Sequence, residues 1–458
     1  MDDSLSVWQE WFAKHRETIL KDYFRFLEFN TIGIDPSTKD ECQNCADWLC
    51  AYLDKVGLKS EQWEAPGHPV VFAQNLDAGP DAPTILLYHH YDVQPVDPLE
   101  LWESNPFKPE LRDGNVYARG AQDNKGQCMY TLAAISALFS MKKKQNFNLK
   151  IFIEGDEEAG SPGLETIFPA KKEALACDLL LAVDTLLPNA HTPAITLGMR
   201  GILSIDIACR AANTDLHSGI LGGVAHNPLR AMSEAFSSLW DKEGRVAVPG
   251  FYDQVQEITK EELSCLSMEV DESQITEEFG VEAFAPEPGF SIGASSSIRP
   301  TVEINGMNGG YTGEGFKTII PKEAKGKVSC RLVPNQDPQD IFNRVADHLR
   351  SKFPKGMEVE IEILEGKPAL WSPLDSPIAK VVAKAYEEVM GKPCERSYGG
   401  GSIPILTFLA EASGGEVVMM GFGLSTDRIH APNEYFGLDR FEQGFLTMGT
   451  IFSKFNER

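Results

Sequence analysis

Short apolar runs of strand length alternate with helical periods between Thr84 and Asp184, and the runs are followed by acids or histidines. Thr84–Tyr88 (TILLY), Leu149–Ile153 (LKIFI) and Leu179–Val183 (LLLAV) are each bounded by polar residues, and Gly126–Met141 carries a helical apolar period. Near-continuous apolar strands separated by helices predict a largely parallel sheet covered on both faces. Such sheets bind ligands beyond the carboxyl ends of their strands. Here His90–Asp92, Asp156–Glu158 and Asp184 follow the runs in that sense. The pattern therefore predicts a site as well as a fold.

A chain of 458 residues exceeds one ordinary core, so at least two domains are expected. A second unit begins near Met199. Ile202–Cys209, Thr301–Gly306, Lys325–Leu332 and Glu358–Leu364 read as strands, and Asn227–Trp240 and Pro338–Phe353 as helices. The order β-α-β-β-α-β is that of a ferredoxin-like α+β domain. Residues 199–368 would form it, inserted into an α/β domain made of 1–198 and 369–458. The tail, with a helix at Ile378–Met390 and a glycine turn at Gly399–Gly401, must return to the first part if His430 is to meet the other polar clusters. Asp241–Arg299 is an acidic, proline-containing insertion that reads as a solvated excursion.

The formal net charge of −25 argues against nucleic acid or an anionic membrane as partner. No apolar run approaches the ~20 residues that span a bilayer. Met1–Glu17 is an amphipathic helix pattern carrying acids, not a signal peptide. Nine cysteines, an odd number without framework spacing, read as reduced thiols of a cytoplasmic protein. Cys42 and Cys45 form a CxxC, but Trp48, Leu49, Leu53 and Val56 continue its spacing, so it reads as one buried helix face.

Five segments carry the chemistry: Leu86–Val93 (LLYHHYDV), Arg119–Gly126 (RGAQDNKG), Ile153–Gly160 (IEGDEEAG), Leu181–Thr185 (LAVDT) and Arg428–Glu434 (RIHAPNE). Period two puts His90 and Asp92 on one face, where Asp92 can orient a ligating imidazole, and sends His89 to the other face as a packing residue. Asp123 stands at a helix start, where an N-cap is the structural alternative. Asp156, Glu157 and Glu158 are consecutive acids with no nearby lysine or arginine, so a divalent cation is a natural compensation. One of these acids can hold a cation while another acts as general base. Spacing leaves open which does which. Taken alone, His430 reads as a surface histidine.

In order and residue type the five segments resemble the M20 family of metallopeptidases, in particular its cytosolic dipeptidase and carnosinase branch. Asp215–Gly223 (DLHSGILGG), Gly326–Asn335 (GKVSCRLVPN) and Gly400–Pro404 (GGSIP) are also similar to that branch. The resemblance implies a catalytic domain with a mixed, mostly parallel sheet covered by helices, interrupted by a ferredoxin-like lid and dimerisation domain. It implies two divalent metal ions, zinc first, with manganese or cobalt as alternatives. His90 and Asp184 would hold one ion, Glu158 and His430 the other, and Asp123 would bridge them. Glu157 would be the base that activates a water between the ions, and Asp92 the orienter of His90. A cis peptide would follow Asp123. His217 would stabilise the oxyanion from the other subunit of a homodimer, Arg331 would clamp a terminal carboxylate, and Thr318, Gly401 and Ser402 would touch substrate. The implied reaction is hydrolysis of dipeptides or small peptides with a free C-terminal carboxylate. An N-acyl-amino-acid deacylase using the same centre is the alternative.

Overall fold

The computed structural model describes residues 4–142, 144–256, 258–259, 263, 266, 270, 272–401 and 403–457. The chain divides into two compact units: Met1–Gly198 with Ser372–Ser397 and Ile403–Arg458, and Met199–Trp371 with Tyr398–Ser402.

The first unit is built on a mixed sheet. Thr84–His90, Asn148–Glu154, Leu179–Val183 and Glu416–Met420 form its parallel centre. Lys59–Trp63 and Val70–Asn75 extend one side antiparallel, and Ala194–Met199 pairs antiparallel with Glu416–Met420 on the other. Asn148–Glu154 and Leu179–Val183 are buried along their whole length, as strands covered on both faces must be. Helices supply the cover. Lys125–Ser140 is almost wholly buried and packs against Leu438–Asn456. The N-terminal helix runs from Ser4 to Glu28, well beyond the amphipathic stretch expected from sequence. It brings Trp8, Phe12 and Tyr23 against Phe441 and Phe445. Cys42 and Cys45 are buried on the helix Lys39–Val56. Burial pushes both thiols up to about 12, so they are packing residues.

The second unit has a four-stranded antiparallel sheet in the order Thr301–Gly309, Glu323–Leu332, Gly201–Arg210, Glu358–Lys367. That order, with two helices on one face, is the ferredoxin-like arrangement. Gly201–Arg210 alternates buried and part-exposed residues along its length. Leu203, Ile205 and Ile207 pack under Met232 and Phe236 of one helix and Ile341, Val345 and Leu349 of the other. Both helices begin on an acceptor side chain followed by proline: Asn227 before Pro228, and Asp337 before Pro338. The first ends at Ser237, short of the expected Trp240, which instead bridges to Val246.

Candidate metal centre

The site lies where the parallel strands of the first unit end. His90 is the last residue of Thr84–His90, the acidic turn follows Asn148–Glu154, and Asp184 follows Leu179–Val183. Asp123 comes from the loop before the helix Lys125–Ser140, across a cis Asp123–Asn124 peptide. It caps no helix; its carboxylate faces two imidazoles. His90 Nε2 is 3.1 Å from Asp123 Oδ1, and His430 Nε2 is 3.0 Å from Asp123 Oδ2.

Two groups of donor atoms result, each with its atoms within 4.8 Å of one another: His90, Asp123 and Asp184, and Asp123, Glu158 and His430. Asp123 belongs to both. Imidazole nitrogens with carboxylate oxygens suit zinc or a similar divalent ion. A further observation fits a cation: Glu158 Oε1 is buried without a hydrogen-bond partner, while Oε2 faces His430 at 3.2 Å. An unspent oxygen among several acids leaves room for positive charge.

The electrostatics point the same way. Hydrogen bonds to Asp123 and Glu158 push His430 up to about 10. Burial pulls His90 down, yet Asp184, Asp123 and Asp92 lift it well above its ordinary value. Burial raises Glu158 and Asp184, with Asp123 adding repulsion to each. Glu157 is held well above the carboxylate range, chiefly by burial.

Neighbouring groups fix each donor. His90 Nδ1 donates to the Asp92 carbonyl at 3.1 Å and lies 3.3 Å from its carboxylate, leaving Nε2 toward Asp123. Gln94 donates to Glu158 Oε2 at 2.8 Å. Asn124 donates to Asp184 Oδ1 at 2.6 Å, and its Oδ1 faces His89 Nδ1 at 2.9 Å. Burial holds His89 down at about 3, so its neutral ring donates that hydrogen bond. His89 is thus part of the polar scaffold, not the simple packing residue expected. Asp156 turns away from the other two acids and accepts the backbone N–H of His68 at 2.6 Å. Gly126 lets the Asp123 loop fold back on its helix: a Cβ there would stand 2.0 Å from the Ala121 carbonyl oxygen.

His430 sits in a loop where Arg428, His430 and Asn433 all have positive φ. Such conformations persist only when their surroundings over-determine them. Asp427 receives both guanidinium nitrogens of buried Arg440 at 2.6 and 2.7 Å, and the Asn433 amide bonds Glu103 N and Leu101 O.

Residues 86–454 match the profile of Peptidase family M20/M25/M40. The chain belongs to this family. As an M20 peptidase it is 30% identical to human Beta-Ala-His dipeptidase, over 84% of this chain and 77% of that one. It is 28% identical to the Cys-Gly metallodipeptidase of Schizosaccharomyces pombe, over 97% of each. An M20 family metallo-carboxypeptidase structure from Sulfolobus solfataricus superposes with a TM-score of 0.82 at 30% identity, covering 96% of this chain and 99% of that one. The M20 chain is a metallopeptidase with dipeptidases among its relatives.

The other expected site residues lie in the second unit. His217 is exposed and accepts the Gly219 N–H at its Nδ1, capping the short helix Ser218–Leu221. Thr318 is exposed, and its carbonyl accepts the Ser218 N–H. Arg331 lies on Glu323–Leu332 opposite Ile202 and Thr301. Gly401 is exposed, and Ser402 lies outside the described residues. Among the described residues no helix is long and apolar enough to cross a membrane.

Proposed function

We propose that this M20 peptidase is a dinuclear-metal dipeptidase acting on small peptides with a free C-terminal carboxylate. The observation that carries this reading is the sharing of Asp123 by two donor groups, His90 with Asp184 and Glu158 with His430. One carboxylate with an oxygen toward each group is what a bridging ligand requires. The relatives named as dipeptidases support the substrate class.

Bound there, two divalent ions, zinc foremost, supply Lewis acidity to the scissile carbonyl and acidify the attacking water. Glu157 takes the proton of that water on a carboxylate oxygen and passes it to the leaving amine. Burial strengthens its hold on a proton relative to an exposed carboxylate, as a base that takes up and returns one requires. Asp92 holds His90 in the tautomer that leaves Nε2 free. We assign oxyanion stabilisation to His217 reaching across from a second copy of the chain. Arg331 would hold the terminal carboxylate by its guanidinium fork, with Thr318, Gly401 and Ser402 lining the substrate. The enzyme is then a homodimer. Eight unpaired cysteines among the described residues support a cytoplasmic setting.

The deciding experiment assays metal-loaded protein against a panel of dipeptides and against N-acetyl- and N-succinyl-amino acids, with metal content by elemental analysis. Dipeptide turnover with two ions per chain is expected. Turnover of acyl-amino acids without dipeptides would overturn the substrate class, and a fully active protein with one ion would overturn the dinuclear centre.

A further inference from the structure

Glu434 is fully buried, four residues after His430, and is no member of either donor group. Its carboxylate is nonetheless saturated by one loop. Oε2 accepts Arg119 Nη1 at 2.7 Å and Gly120 N at 2.9 Å; Oε1 accepts Gln122 N at 2.9 Å and Asp123 N at 3.1 Å. The Ala118 N–H donates to the Glu434 carbonyl at 3.2 Å. Arg119 is itself buried and spends Nη2 on the Pro95 carbonyl. Strand Tyr435–Gly437 pairs with Asn115–Tyr117 just before the Asp123 loop, and beyond that ladder the Glu434 side chain ties the loop bearing Asp123 to the loop bearing His430.

The two donor groups differ in how they are held. His90 and Asp184 stand at the ends of neighbouring parallel strands, and Asn124 fastens Asp184 beside Asp123. The sheet sets that spacing without Glu434. His430 projects from an irregular loop with positive φ at three positions, and its spacing from Asp123 runs through the Glu434 carboxylate. Charge-assisted bonds from a buried carboxylate to backbone N–H groups are strong and directional, so they fix the loop rather than merely fill space.

We infer that Glu434 is a positioning residue that sets the Asp123–His430 spacing, and that it governs the ion of the Asp123, Glu158 and His430 group more than the ion of the His90, Asp123 and Asp184 group. This rests on the dinuclear reading above. Partners one layer behind metal ligands are worth about 10–100-fold in affinity. The differential between the two ions is what a role in general stability alone does not give.

The test titrates metal-loaded protein with a chelator and follows release by elemental analysis. Two variants are used. Glu434→Gln removes the charge. Glu434→Asp keeps the charge near Arg119 but withdraws it from the backbone N–H groups by one methylene, and it serves where the first does not fold. Wild type is expected to release two ions in two steps. In either variant the ion that a His430→Ala variant also loosens should leave at a chelator activity at least about ten-fold lower, with the other ion moved about three-fold or less. Excess zinc should restore most of the dipeptide turnover lost. Equal displacement of both ions, unchanged release, or loss of turnover that zinc does not restore overturns the inference. Wild type holding fewer than two ions overturns the dinuclear reading itself, and the inference with it.

Discussion

Asp92 Oδ2 accepts the backbone N–H of Glu158 at 3.0 Å, and Oδ1 the N–H of Glu157 at 3.2 Å. The carboxylate beside His90 therefore also fixes the turn that carries both acids. Asp92→Asn replaces one acceptor by a donor that must face either those N–H groups or the imidazole. We expect turnover and metal affinity each to fall about 10–100-fold, measured by steady-state kinetics and chelator competition. A variant with unchanged metal affinity would show that Asp92 orients nothing.

Glu157 feels the charges of His90, Asp184, Glu158 and Asp123 but belongs to neither donor group. Glu157→Gln should keep both ions and lose about 10²–10⁴-fold in turnover, the range of a positioned general base. Elemental analysis with single-turnover kinetics checks both halves. Retained activity would assign the base elsewhere.

Glu154 is fully buried, with Tyr88 donating to Oε1 at 2.7 Å. Burial, with Asp92 nearby, raises its carboxyl from 4.5 to about 8. In the unfolded chain the proton leaves near pH 4.5; in the folded chain it stays until about pH 8. The folded state binds more protons across that window, so this group lowers stability as pH rises through it, and the loss levels off above. Glu154→Gln keeps the acceptor for Tyr88 and removes the titration. Its unfolding free energy relative to wild type, measured by denaturant titration, should rise between pH 5 and pH 8.5 by an amount on the order of several kcal/mol at most. A pH-independent difference would place the Glu154 titration outside that window.

Arg440 is buried and neutralises buried Asp427 at the root of the His430 loop. Arg440→Met leaves an uncompensated charge and should cost about 3–5 kcal/mol. Asp427→Asn combined with Arg440→Met should cost less than Arg440→Met alone, because the charge is gone. Thermal unfolding of the two variants decides it.

The sequence shows the donors that end apolar runs, because a strand buried on both faces announces itself and its last residue inherits a place at the rim. His90 and Asp184 were legible for that reason. The strand Glu416–Met420 is central, but Gly421–Leu424 follow it with no acid or histidine, so nothing in the sequence marks it as part of a site. Asp156, Glu157 and Glu158 look alike in sequence; only the fold turns Asp156 toward His68. The roles of Gln94, Asn124 and Glu434 are not legible, although the last two stand inside the segments that carry the chemistry. Each acts by satisfying a group distant in sequence, and no local period records such a partner.

The route of the chain through the first unit has a consequence for its synthesis. Asp184 leaves the ribosome long before His430, because the whole second unit is made between them. At about 5–20 residues per second, that interval lasts about 12–50 s. Throughout it the nascent chain holds Asp123 and Glu158 without His430, and Arg119 without Glu434. The strand Glu416–Met420 is also missing from the middle of the sheet. No N-terminal fragment that stops before His430 holds all five candidate donors, so on the dinuclear reading the centre comes into being only once synthesis has passed that residue.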